Sequence, residues 1–497
     1  MVNQLYYGDN LEVLRRYIKS ESVDLCYIDP PFNSKRNYNQ IYNNIGSEDK
    51  AQAQAFIDTW EWDDHAIHGI EEIITNYNGK FTHQCIALII GLRNVLRTGS
   101  LLAYLVSMTL RITEIHRVLK PTGSFYLHCD PNASHYLKLV LDAVFCSQGG
   151  EFRNEIVWCY RGAGYPKKDF GRRHDLIFRY SKGKEFTFNL DSVREEYAET
   201  TKERFRHHIG NKRGKKDFGQ QSLNPLGKQP DDWWEIQPIA PSARERLGYP
   251  TQKPESLLEK IIKASSNEND TILDAYCGCG TTVAVSQRLD RKWIGIDITY
   301  QSISLILRRL EDSFGKGVLQ TIKLHGIPKD IESATELANK ADDRTRKEFE
   351  KWAILTYTDN RGIIKTKKGS DQGVDGIAYF QGDQNDPEKI IFQVKSGKVK
   401  SGDIRDLIGT MTLENASIAI FITLENPTKD MIKTAKTAGF YQSQYMSQSC
   451  DKIQLVTVQD IIENQKRLNI RLSLEVLKSA EKQKEVKVNQ MELDLDI

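Results

Sequence analysis

A carboxylate and two prolines follow a short apolar run near the start of the chain. Val23–Ile28 is rich in β-branched and aromatic residues, so we predict a buried strand there. The run ends at Asp29-Pro30-Pro31-Phe32, where two prolines cannot continue a sheet ladder. In open α/β sheets, ligands bind at the carboxyl ends of the strands. This turn would therefore present a carboxylate, a backbone carbonyl and an aromatic ring where a ligand binds.

These groups suit methylation of an exocyclic amino group of a nucleobase. The lone pair of such a nitrogen is delocalised into the ring, so the amine is a poor nucleophile. The Asp29 carboxylate and the Pro30 carbonyl can each accept one N–H bond and draw the nitrogen towards tetrahedral geometry. The Phe32 ring can stack on the base. A strand followed by an ordinary Asp-Pro turn is the simpler interpretation, and the motif alone does not decide between the two.

A glycine-rich turn between a strand and a helix supplies the second group of candidate residues. The pattern is Asp274-Ala-Tyr-Cys-Gly278-Cys-Gly280-Thr-Thr, and the next apolar run ends in Asp297. Strand, Gly-x-Gly, helix, strand and acid is the order of a Rossmann-type cofactor half, whose acid binds ribose hydroxyls. Dinucleotide enzymes share this order, but their third glycine is missing here, at or near Ala284. A dinucleotide-dependent oxidoreductase is therefore the less favoured interpretation.

The elements around these motifs alternate between helices and strands. We predict a helix over Ser100–Leu119, a strand over Ser124–His128 and a helix over Ala133–Phe145. Two more helices are predicted at Glu255–Ala264 and Thr281–Leu289. Strands and helices that alternate at this spacing indicate a mainly parallel sheet.

Between residues 151 and 247 the alternation gives way to basic residues interleaved with aromatic ones. The densest stretch, Lys202–Lys216, holds seven Lys or Arg and two His against one Glu, although the net charge of the chain is only +2. Basic and aromatic side chains together suit contact with a nucleic-acid backbone and stacking on bases. We therefore predict an inserted DNA-binding region, with an ordinary solvated insertion as the alternative.

Length and cysteine usage limit the class of protein. A chain of 497 residues is too long for one core and should form two or three domains. The eight cysteines form no CxxC pair and no zinc spacing with His, so we expect reduced core cysteines in a cytoplasmic protein. Charged residues interrupt the apolar stretch Cys85–Leu110, and the N-terminus has no signal pattern, so no membrane association is expected.

Three motifs taken together resemble the amino-methyltransferases of DNA. They are the Asp29–Phe32 corner, the segment Thr251-Gln-Lys-Pro254 and the loop Asp274–Thr282. Their order along the chain is similar to that of the circularly permuted β class, as in type III modification subunits. The resemblance covers roughly Tyr6–Phe314. It implies a Rossmann-like fold, S-adenosyl-L-methionine as methyl donor and double-stranded DNA as substrate.

The resemblance also implies a role for each matching residue. The catalytic loop would consist of Asp29, Pro30, Pro31 and Phe32. The cofactor site would consist of Asp274, Gly278, Gly280, Thr281, Lys253, Pro254 and Asp297. Residues 151–247 would form the target-recognition region. An Asp rather than a Ser at the first position of the catalytic motif favours adenine N6 over cytosine N4, and the target base would be flipped out of the duplex.

A further motif lies in the C-terminal third. Asp375 follows a glycine turn, Gln393-Val-Lys395 comes eighteen residues later, and Glu350 lies on the preceding predicted helix. This pattern resembles the PD-(D/E)xK nucleases, most of all the Mrr-type restriction endonuclease domain. The resemblance implies Mg²⁺ held by Asp375 and Gln393, with Lys395 orienting a water. Gln393 stands where many members carry an acid, so a non-catalytic DNA-binding or docking domain is the alternative.

We therefore predict an α/β chain of several parts. They are a Rossmann-like methyltransferase domain over residues 1–320 with the target-recognition region 151–247 inserted, a helical connector over 321–343, a restriction-endonuclease-like α/β domain over 344–465 and a charged tail over 466–497. The predicted function is adenine-N6 methylation of DNA in restriction–modification. The alternative is a solitary methyltransferase for adenine N6 or cytosine N4. A restriction subunit or a second copy of the chain is a further expected partner.

Overall fold

The structure is a computed structural model that describes most of the chain. The described residues are 2–31, 62–162, 166–205, 210–213, 216–220, 222–249, 251–339, 343–365, 373–381, 387–442, 449–470 and 472, with the backbone alone described at 210–213, 216–220, 343–346, 381 and 387. They form two compact units. The first is built mainly from residues 9–31 and 62–296, and the second mainly from residues 297–472.

Helices and strands alternate through both units. The strands are β1 (Asn3–Tyr7), β2 (Val23–Ile28), β3 (Leu119–Cys129), β4 (Glu151–Cys159), β5 (His174–Ser181), β6 (Gly210–Arg213), β7 (Lys216–Gln220), β8 (Trp233–Glu235), β9 (Thr271–Asp274), β10 (Lys292–Asp297), β11 (Ile322–His325), β12 (Ile363–Ile364), β13 (Gly376–Gln381), β14 (Pro387–Lys395), β15 (Ile418–Thr423), β16 (Phe440–Tyr441), β17 (Cys450–Asp451) and β18 (Ile453–Thr457). The helices are α1 (Asn10–Tyr17), α2 (Asp64–Thr75), α3 (His83–Leu96), α4 (Ser100–Val118), α5 (Ser134–Val144), α6 (Glu199–Phe205), α7 (Glu255–Ser265), α8 (Thr281–Arg288), α9 (Tyr300–Phe314), α10 (Ile331–Ala338), α11 (Asp343–Tyr357), α12 (Ser401–Leu413), α13 (Lys429–Lys436) and α14 (Val458–Ile462).

A mixed sheet forms the centre of the first unit. Its strands follow the order β10-β9-β2-β3-β5-β4-β8. The four strands from β10 to β3 run parallel, as the alternating pattern predicts. Beyond β3 the direction changes, because β5 pairs antiparallel with both β3 and β4. The α/β sheet is thus mixed rather than mainly parallel, and beyond β5 the short pair β4–β8 is parallel again.

Strand β2 lies between β3 and β9 and fixes the position of the Asp29 corner. Leu25 pairs with Ser124 of β3 and with Ile272 of β9. Every β2 residue from Leu25 to Ile28 is buried, which explains why the run is apolar rather than alternating. Parallel strands in this register end at the same edge, so the segments after Ile28 and Asp274 leave the sheet side by side.

The first and last parts of the predicted insertion, residues 151–247, belong to the central sheet. Strands β4, β5 and β8 all belong to the central sheet, and Trp158 and Trp234 are buried against α7 in its core. The aromatic residues of β4 and β8 therefore serve packing, which composition alone does not distinguish from base stacking. The segment between β5 and β8 carries α6 and the β6–β7 hairpin. The side chains at 206–220, which include most of the basic run, lie outside the described residues.

The second unit contains a smaller sheet with a helical layer on each face. The strand order is β12-β13-β14-β15-β18, with β14, β15 and β18 parallel and β13 antiparallel to β14. One face packs against the apolar side of α11, where Phe349 and Trp352 are buried. The other face packs against α12 and α13. This arrangement matches the alternating α/β pattern predicted for the C-terminal third.

The cysteines are all free thiols, and most of them are buried. Cys146 is exposed and Cys159 and Cys450 are half-buried, so the expectation of core cysteines fails at these positions. Across the described ranges, no helix combines the length and the apolar character that crossing a membrane requires.

Glu114 of α4 is a buried carboxylate held by several cations. Lys80 and Arg117 donate to it at 2.7 and 2.6 Å, and Arg15 lies 3.5 Å away. Burial alone would raise the pKa of Glu114, but the bonds from Lys80 and Arg117 hold that pKa below its usual value. The ionised carboxylate therefore contributes stability above pH 4.5, its ordinary pKa, and loses that contribution as the pH falls below it.

We predict that Glu114→Gln lowers the free energy of unfolding by roughly 2 kcal/mol at pH 7. This is less than the loss for a fully buried pair, because the three cations are themselves partly exposed. Urea unfolding followed by circular dichroism measures the difference. The matched control is Glu12→Gln, whose pair with Arg16 is exposed and should contribute less than about 0.5 kcal/mol. A Glu114→Gln effect that is the same at pH 3 and pH 7 would contradict the electrostatic explanation.

Candidate functional site

Asp29 is held by a lysine that lies far from it in the sequence. The Lys253 ammonium donates to Asp29 Oδ2, and both side chains are largely buried. Lys253 is fixed because the next residue, Pro254, is the N-cap of α7. Gln252 closes the preceding loop, since its side chain accepts from the Leu247 N–H and donates to the Glu245 carbonyl. A charged carboxylate is therefore stable at the end of β2.

A buried histidine lies on the other side of the Asp29 carboxylate. His128, the penultimate residue of β3, is fully buried, and its Nδ1 lies 2.9 Å from the Tyr27 hydroxyl and 3.9 Å from Asp29 Oδ1. Its Nε2 lies 3.5 Å from Asp175 Oδ2 at the start of β5. The Trp158 ring packs edge-on against the imidazole. The carboxyl ends of β2 and β3 thus share one polar cluster, which we call the Asp29 cluster: Tyr27, Asp29, His128, Asp175 and Lys253.

The surroundings determine which groups of the Asp29 cluster carry protons. Burial and then the nearby Asp29, Asp274 and Asp175 charges raise the pKa of Tyr27, so the phenol stays protonated. Burial would raise the pKa of Asp175, but its hydrogen bond to His128 and the charges of His128 and Lys253 lower it below its usual value. Asp175 is therefore ionised, and its Oδ2 lies 3.5 Å from His128 Nε2.

The geometry of the cluster leaves one oxygen of Asp29 open. His128 Nδ1 is hydrogen-bonded to the Tyr27 hydroxyl at 2.9 Å. The 3.9 Å from Nδ1 to Asp29 Oδ1 is too long for a hydrogen bond. Asp29 Oδ1 is buried and has no hydrogen-bond partner among the residues that the structure describes. This oxygen can accept a further hydrogen bond.

The glycine loop after β9 leaves the sheet beside Asp29. Gly278 and Gly280 both have positive φ, at 48° and 73°, so a residue with a side chain would be strained at either position. A Cβ at Gly278 would also lie only 3.2 Å from the Tyr249 ring. Gly280 is the N-cap of α8 and Thr281 its first residue, so the N-terminus of α8 directly follows the loop. Asp274 is buried and accepts from the Tyr276 N–H.

Asp297 ends β10 and is held together with a glutamate from α11. Its Oδ1 accepts from the backbone and the hydroxyl of Thr299, the N-cap of α9. Glu348 accepts from the N–H of Tyr300 at 2.9 Å and pairs with Lys351 at 2.6 Å. Burial, followed by the charge and hydrogen bond of Glu348, raises the pKa of Tyr7 above its usual range. Buried Glu348 thus fixes the backbone directly after Asp297.

Three of the predicted nuclease residues lie at one edge of the smaller sheet. Asp375 directly precedes β13, and Gln393 and Lys395 are at the end of β14. Asp375 Oδ2 accepts from the Val394 N–H, and the Asp375 N–H donates to the Phe392 carbonyl, so this carboxylate is locked onto β14. Gln393 and Lys395 are two residues apart and share one face of β14. Gln393 Oε1 is buried without a hydrogen-bond partner in the described part of the chain, whereas Lys395 is exposed.

Glu350, the acid predicted on the preceding helix, lies apart from the other predicted nuclease residues. Helix α11, which carries Glu350, packs against the face of β14 that presents Phe392 and Val394, opposite Gln393 and Lys395. The buried acid of α11 is Glu348, two residues earlier, and it serves α9. Among the described residues, no three His, Cys, Asp or Glu side chains form a metal-binding group. A metal at this site would depend on Asp375 and on the amide oxygen of Gln393.

The sequence motifs thus supply part of the site. The structure brings Asp29, Pro30, Lys253 and the Gly278–Gly280 loop to one edge of the sheet, while Phe32 lies outside the described residues. Sequence reasoning missed His128 and Asp175 as neighbours of Asp29. The signal for His128 was a polar His-Cys-Asp-Pro ending a strand in the same way as Asp29 does. Nothing in the sequence marked Asp175.

Residues 23–308, more than half of the chain, match the family model described as DNA methylase. The chain belongs to the DNA methylase family. Residues 342–463 match a second model, described as restriction endonuclease. Both matches agree with the resemblances inferred from the Asp29, Gly278 and Asp375 motifs.

Curated methyltransferases are similar to about two to three fifths of the chain. Type II methyltransferase M.BglII from Bacillus subtilis is 34% identical over 215 residues, which cover 40% of this chain and 57% of that protein. DNA adenine methyltransferase YhdJ from Escherichia coli K12 is 29% identical and covers 62% of this chain and 82% of YhdJ. The chain spans less than three fifths of the length of M.BglII and of M.HpaI from Haemophilus parainfluenzae.

Among solved structures, the chain is similar to the cytosine-N4-specific PvuII DNA methyltransferase. The identity is 15%, the match covers 64% of this chain and 91% of that chain, and the TM-score is 0.37.

We predict that Glu348→Gln loosens the backbone after Asp297. The mutation removes the charge that accepts from the Tyr300 N–H, which should lower the free energy of unfolding by about 1–2 kcal/mol. Hydrogen exchange followed by mass spectrometry should show faster exchange in the peptide that contains Tyr300. The matched control is Glu350→Gln on the same helix, which should leave exchange there unchanged. Unaltered exchange in Glu348→Gln would mean that the carboxylate does not hold this backbone.

Proposed function

We propose that this protein methylates an exocyclic amino group in double-stranded DNA, with adenine N6 as the target. The observation that carries the proposal is the buried Asp29 Oδ1 at the end of β2, beside the glycine loop that follows β9. This oxygen has no hydrogen-bond partner among the residues that the structure describes. An acceptor oxygen of this kind is suited to an amine N–H that enters from a flipped base. Membership of the DNA methylase family supports the same reaction.

Each member of the Asp29 cluster contributes to the reaction in a different way. Asp29 Oδ1 accepts one N–H of the target amine, and the Pro30 carbonyl accepts the other. Lys253 holds Oδ2 in place, and the negative charge of the carboxylate stabilises the positive charge that develops on the nitrogen. Tyr27 and Asp175 hold His128, whose ring closes the cluster from the side of β3. Asp29 therefore reaches the amine without first rotating.

The proposed methyl donor is S-adenosyl-L-methionine, which supplies an electrophilic methyl group when it is bound. The residues present fit such a group, since Gly278 and Gly280, both at positive φ, leave the loop without side chains. The role of Asp297, whose carboxylate is buried, as a ligand of ribose hydroxyls is the one that the family resemblance implies. Thr281 begins the helix after the loop, and Lys253 and Pro254 border the same edge as Asp29. These assignments keep the roles that the family resemblance implies.

Adenine N6 is preferred to cytosine N4 on two grounds. The catalytic motif begins with Asp rather than Ser, and a relative that covers 62% of this chain is named a DNA adenine methyltransferase. A solitary methyltransferase for either amine, with a C-terminal domain that only binds DNA, is the second candidate. Residues 151–247 remain the proposed target-recognition region, with the stretch between β5 and β8 free of the central sheet.

We predict that Asp29→Asn lowers the rate of methyl transfer at least about 1,000-fold, because the mutant keeps the shape of the side chain and loses its charge. The affinity for S-adenosyl-L-methionine, measured by calorimetry, should change less than about threefold. Transfer of a tritiated methyl group to plasmid DNA measures the rate.

The matched control is Asp24→Asn, on the same strand at its opposite end. Asp24 pairs with Lys120 and accepts from the Thr271 N–H, so this mutant should be less stable but still active at a temperature where it is folded. A wild-type rate in Asp29→Asn would remove Asp29 from the mechanism. Complete loss of activity in both mutants would point to damage of β2 rather than to chemistry.

A second activity, Mg²⁺-dependent cleavage of DNA, is proposed for residues 344–465. Gln393 Oε1, buried without a partner among the described residues, and the Asp375 carboxylate are oxygen ligands of the kind that Mg²⁺ accepts. Lys395, exposed on the same face of β14, can orient a water or contact the phosphate. The match to the restriction endonuclease model supports this proposal and a role in restriction–modification, with a restriction subunit or a second copy as partner.

We predict that the wild-type chain cuts unmethylated plasmid DNA in Mg²⁺ and that Asp375→Ala and Lys395→Ala lose at least about 100-fold in rate. Gel analysis of plasmid linearisation measures the cutting. Lys398→Ala changes an exposed lysine three residues further on and serves as the control that should still cut. If the wild-type chain never cuts, with or without Mg²⁺ and S-adenosyl-L-methionine, the solitary methyltransferase becomes the better account.

A further inference from the structure

The loop between β4 and β5 rises from the edge of the sheet that carries the Asp29 cluster. Cys159 pairs with His174, and the Tyr160 N–H donates to the Arg173 carbonyl at 3.0 Å, so the stem of the loop is closed up to Arg173. The loop is thus a hairpin connection whose two ends are fixed by backbone hydrogen bonds.

The stem is joined to the Asp29 cluster by Asp175. Asp175 is the second residue of β5, and its carboxylate lies 3.5 Å from His128, which in turn neighbours Asp29. Phe170 precedes Asp175 by five residues. Five residues of extended chain span at most about 17 Å. Phe170 therefore lies no further than this distance from Asp175 of the Asp29 cluster, which would receive the target base.

Phe170 is an unusual residue for an exposed loop of this charge. Its ring is 98% exposed, the largest exposed fraction of any apolar side chain in the described part of the first unit. Lys167, Lys168 and Arg172, which surround it in the sequence, are also exposed, against a single acid at Asp169. One exposed apolar side chain alone would need no explanation. An exposed ring among three cations, at the edge that carries Asp29, is the combination found where proteins wedge open a DNA duplex.

We propose that Phe170 is a DNA wedge that enters the base stack beside the target base, while Lys167, Lys168 and Arg172 bind the flanking phosphates. This inference rests on the proposed function, since it requires that the target base leaves the duplex to reach Asp29. The ring fills the space that the flipped base leaves, which lowers the cost of unstacking. The cations hold the backbone at the place where it is bent.

The test compares two substrates that differ only in how hard the target base is to flip. The recognition site is first identified by sequencing methylated bases in DNA from cells that express the protein. One duplex then carries a normal pair at the target base, and the other carries a mismatched partner there. A mismatched base is easier to extrude, so it should depend less on a wedge.

We predict that Phe170→Ala lowers kcat/KM on the paired duplex by about 10- to 100-fold and on the mismatched duplex by less than about threefold. Phe170→Trp keeps a flat apolar ring and should retain activity on both. The pair Lys167→Ala and Lys168→Ala should instead weaken binding of both duplexes equally and flatten the dependence of affinity on salt. The control Tyr77→Ala, which removes another exposed ring after α2, should change nothing.

An equal loss of activity on both duplexes in Phe170→Ala would overturn the wedge, since it would indicate a general effect on binding or folding. No loss on either duplex would overturn it as well. A wild-type chain that does not methylate DNA would instead refute the proposed function, so the two failures are distinguishable. Fluorescence of 2-aminopurine at the target position gives an independent readout, because unstacking should raise it in the wild-type complex and much less in Phe170→Ala.

Discussion

The compensation of one largely buried charge, the Asp29 carboxylate, is the constraint on which the candidate site of the first unit depends. A carboxylate removed from water is unfavourable unless a cation and hydrogen bonds compensate it. Here Lys253 compensates Oδ2, and the resulting geometry leaves Oδ1 as an acceptor without a partner among the described residues. The arrangement that compensates the charge at Oδ2 therefore leaves Oδ1 able to accept a further donor.

The fold brings these groups together through the order of the strands rather than through the order of the chain. Asp29 and Lys253 are 224 residues apart, yet β2 lies next to β9, and α7, which follows Lys253, leads directly into β9. His128 comes from the strand on the other side of β2. Three segments distant in sequence therefore meet because parallel neighbours end at one edge, which is also where the glycine loop starts.

Strong local signals in the sequence marked parts of the candidate site. The Asp29-Pro-Pro-Phe corner and the Gly278–Gly280 loop are recognisable because proline restricts the backbone and glycine allows a positive φ. Asp175 gave no signal, because its role is set by the antiparallel pairing of β5 with β3, a long-range event. The strands β4, β5 and β8 also join the central sheet through long-range pairing, whereas the composition of residues 151–247 had suggested an inserted region.

Long-range packing also explains the difference between Glu348 and Glu350. Both lie on α11, and the resemblance to the nuclease family pointed to Glu350 as the acid on this helix. The helix instead turns Glu348 inwards, where Tyr300 and Lys351 satisfy its charge. Which of two acids on one helix is buried depends on what the helix packs against, and that information lies in α9, about fifty residues earlier. Local sequence patterns predict the helices and strands well, but they predict the partners of buried charges poorly.

The most direct test of the central claim is a crystal structure of the chain with S-adenosylhomocysteine and a duplex that contains its recognition site. The account predicts that the target base is outside the helix and that its amino nitrogen lies about 3 Å from Asp29 Oδ1, with Lys253 still bound to Oδ2. A target base that is flipped out but whose amino nitrogen lies beyond hydrogen-bonding reach of Asp29 would contradict the account.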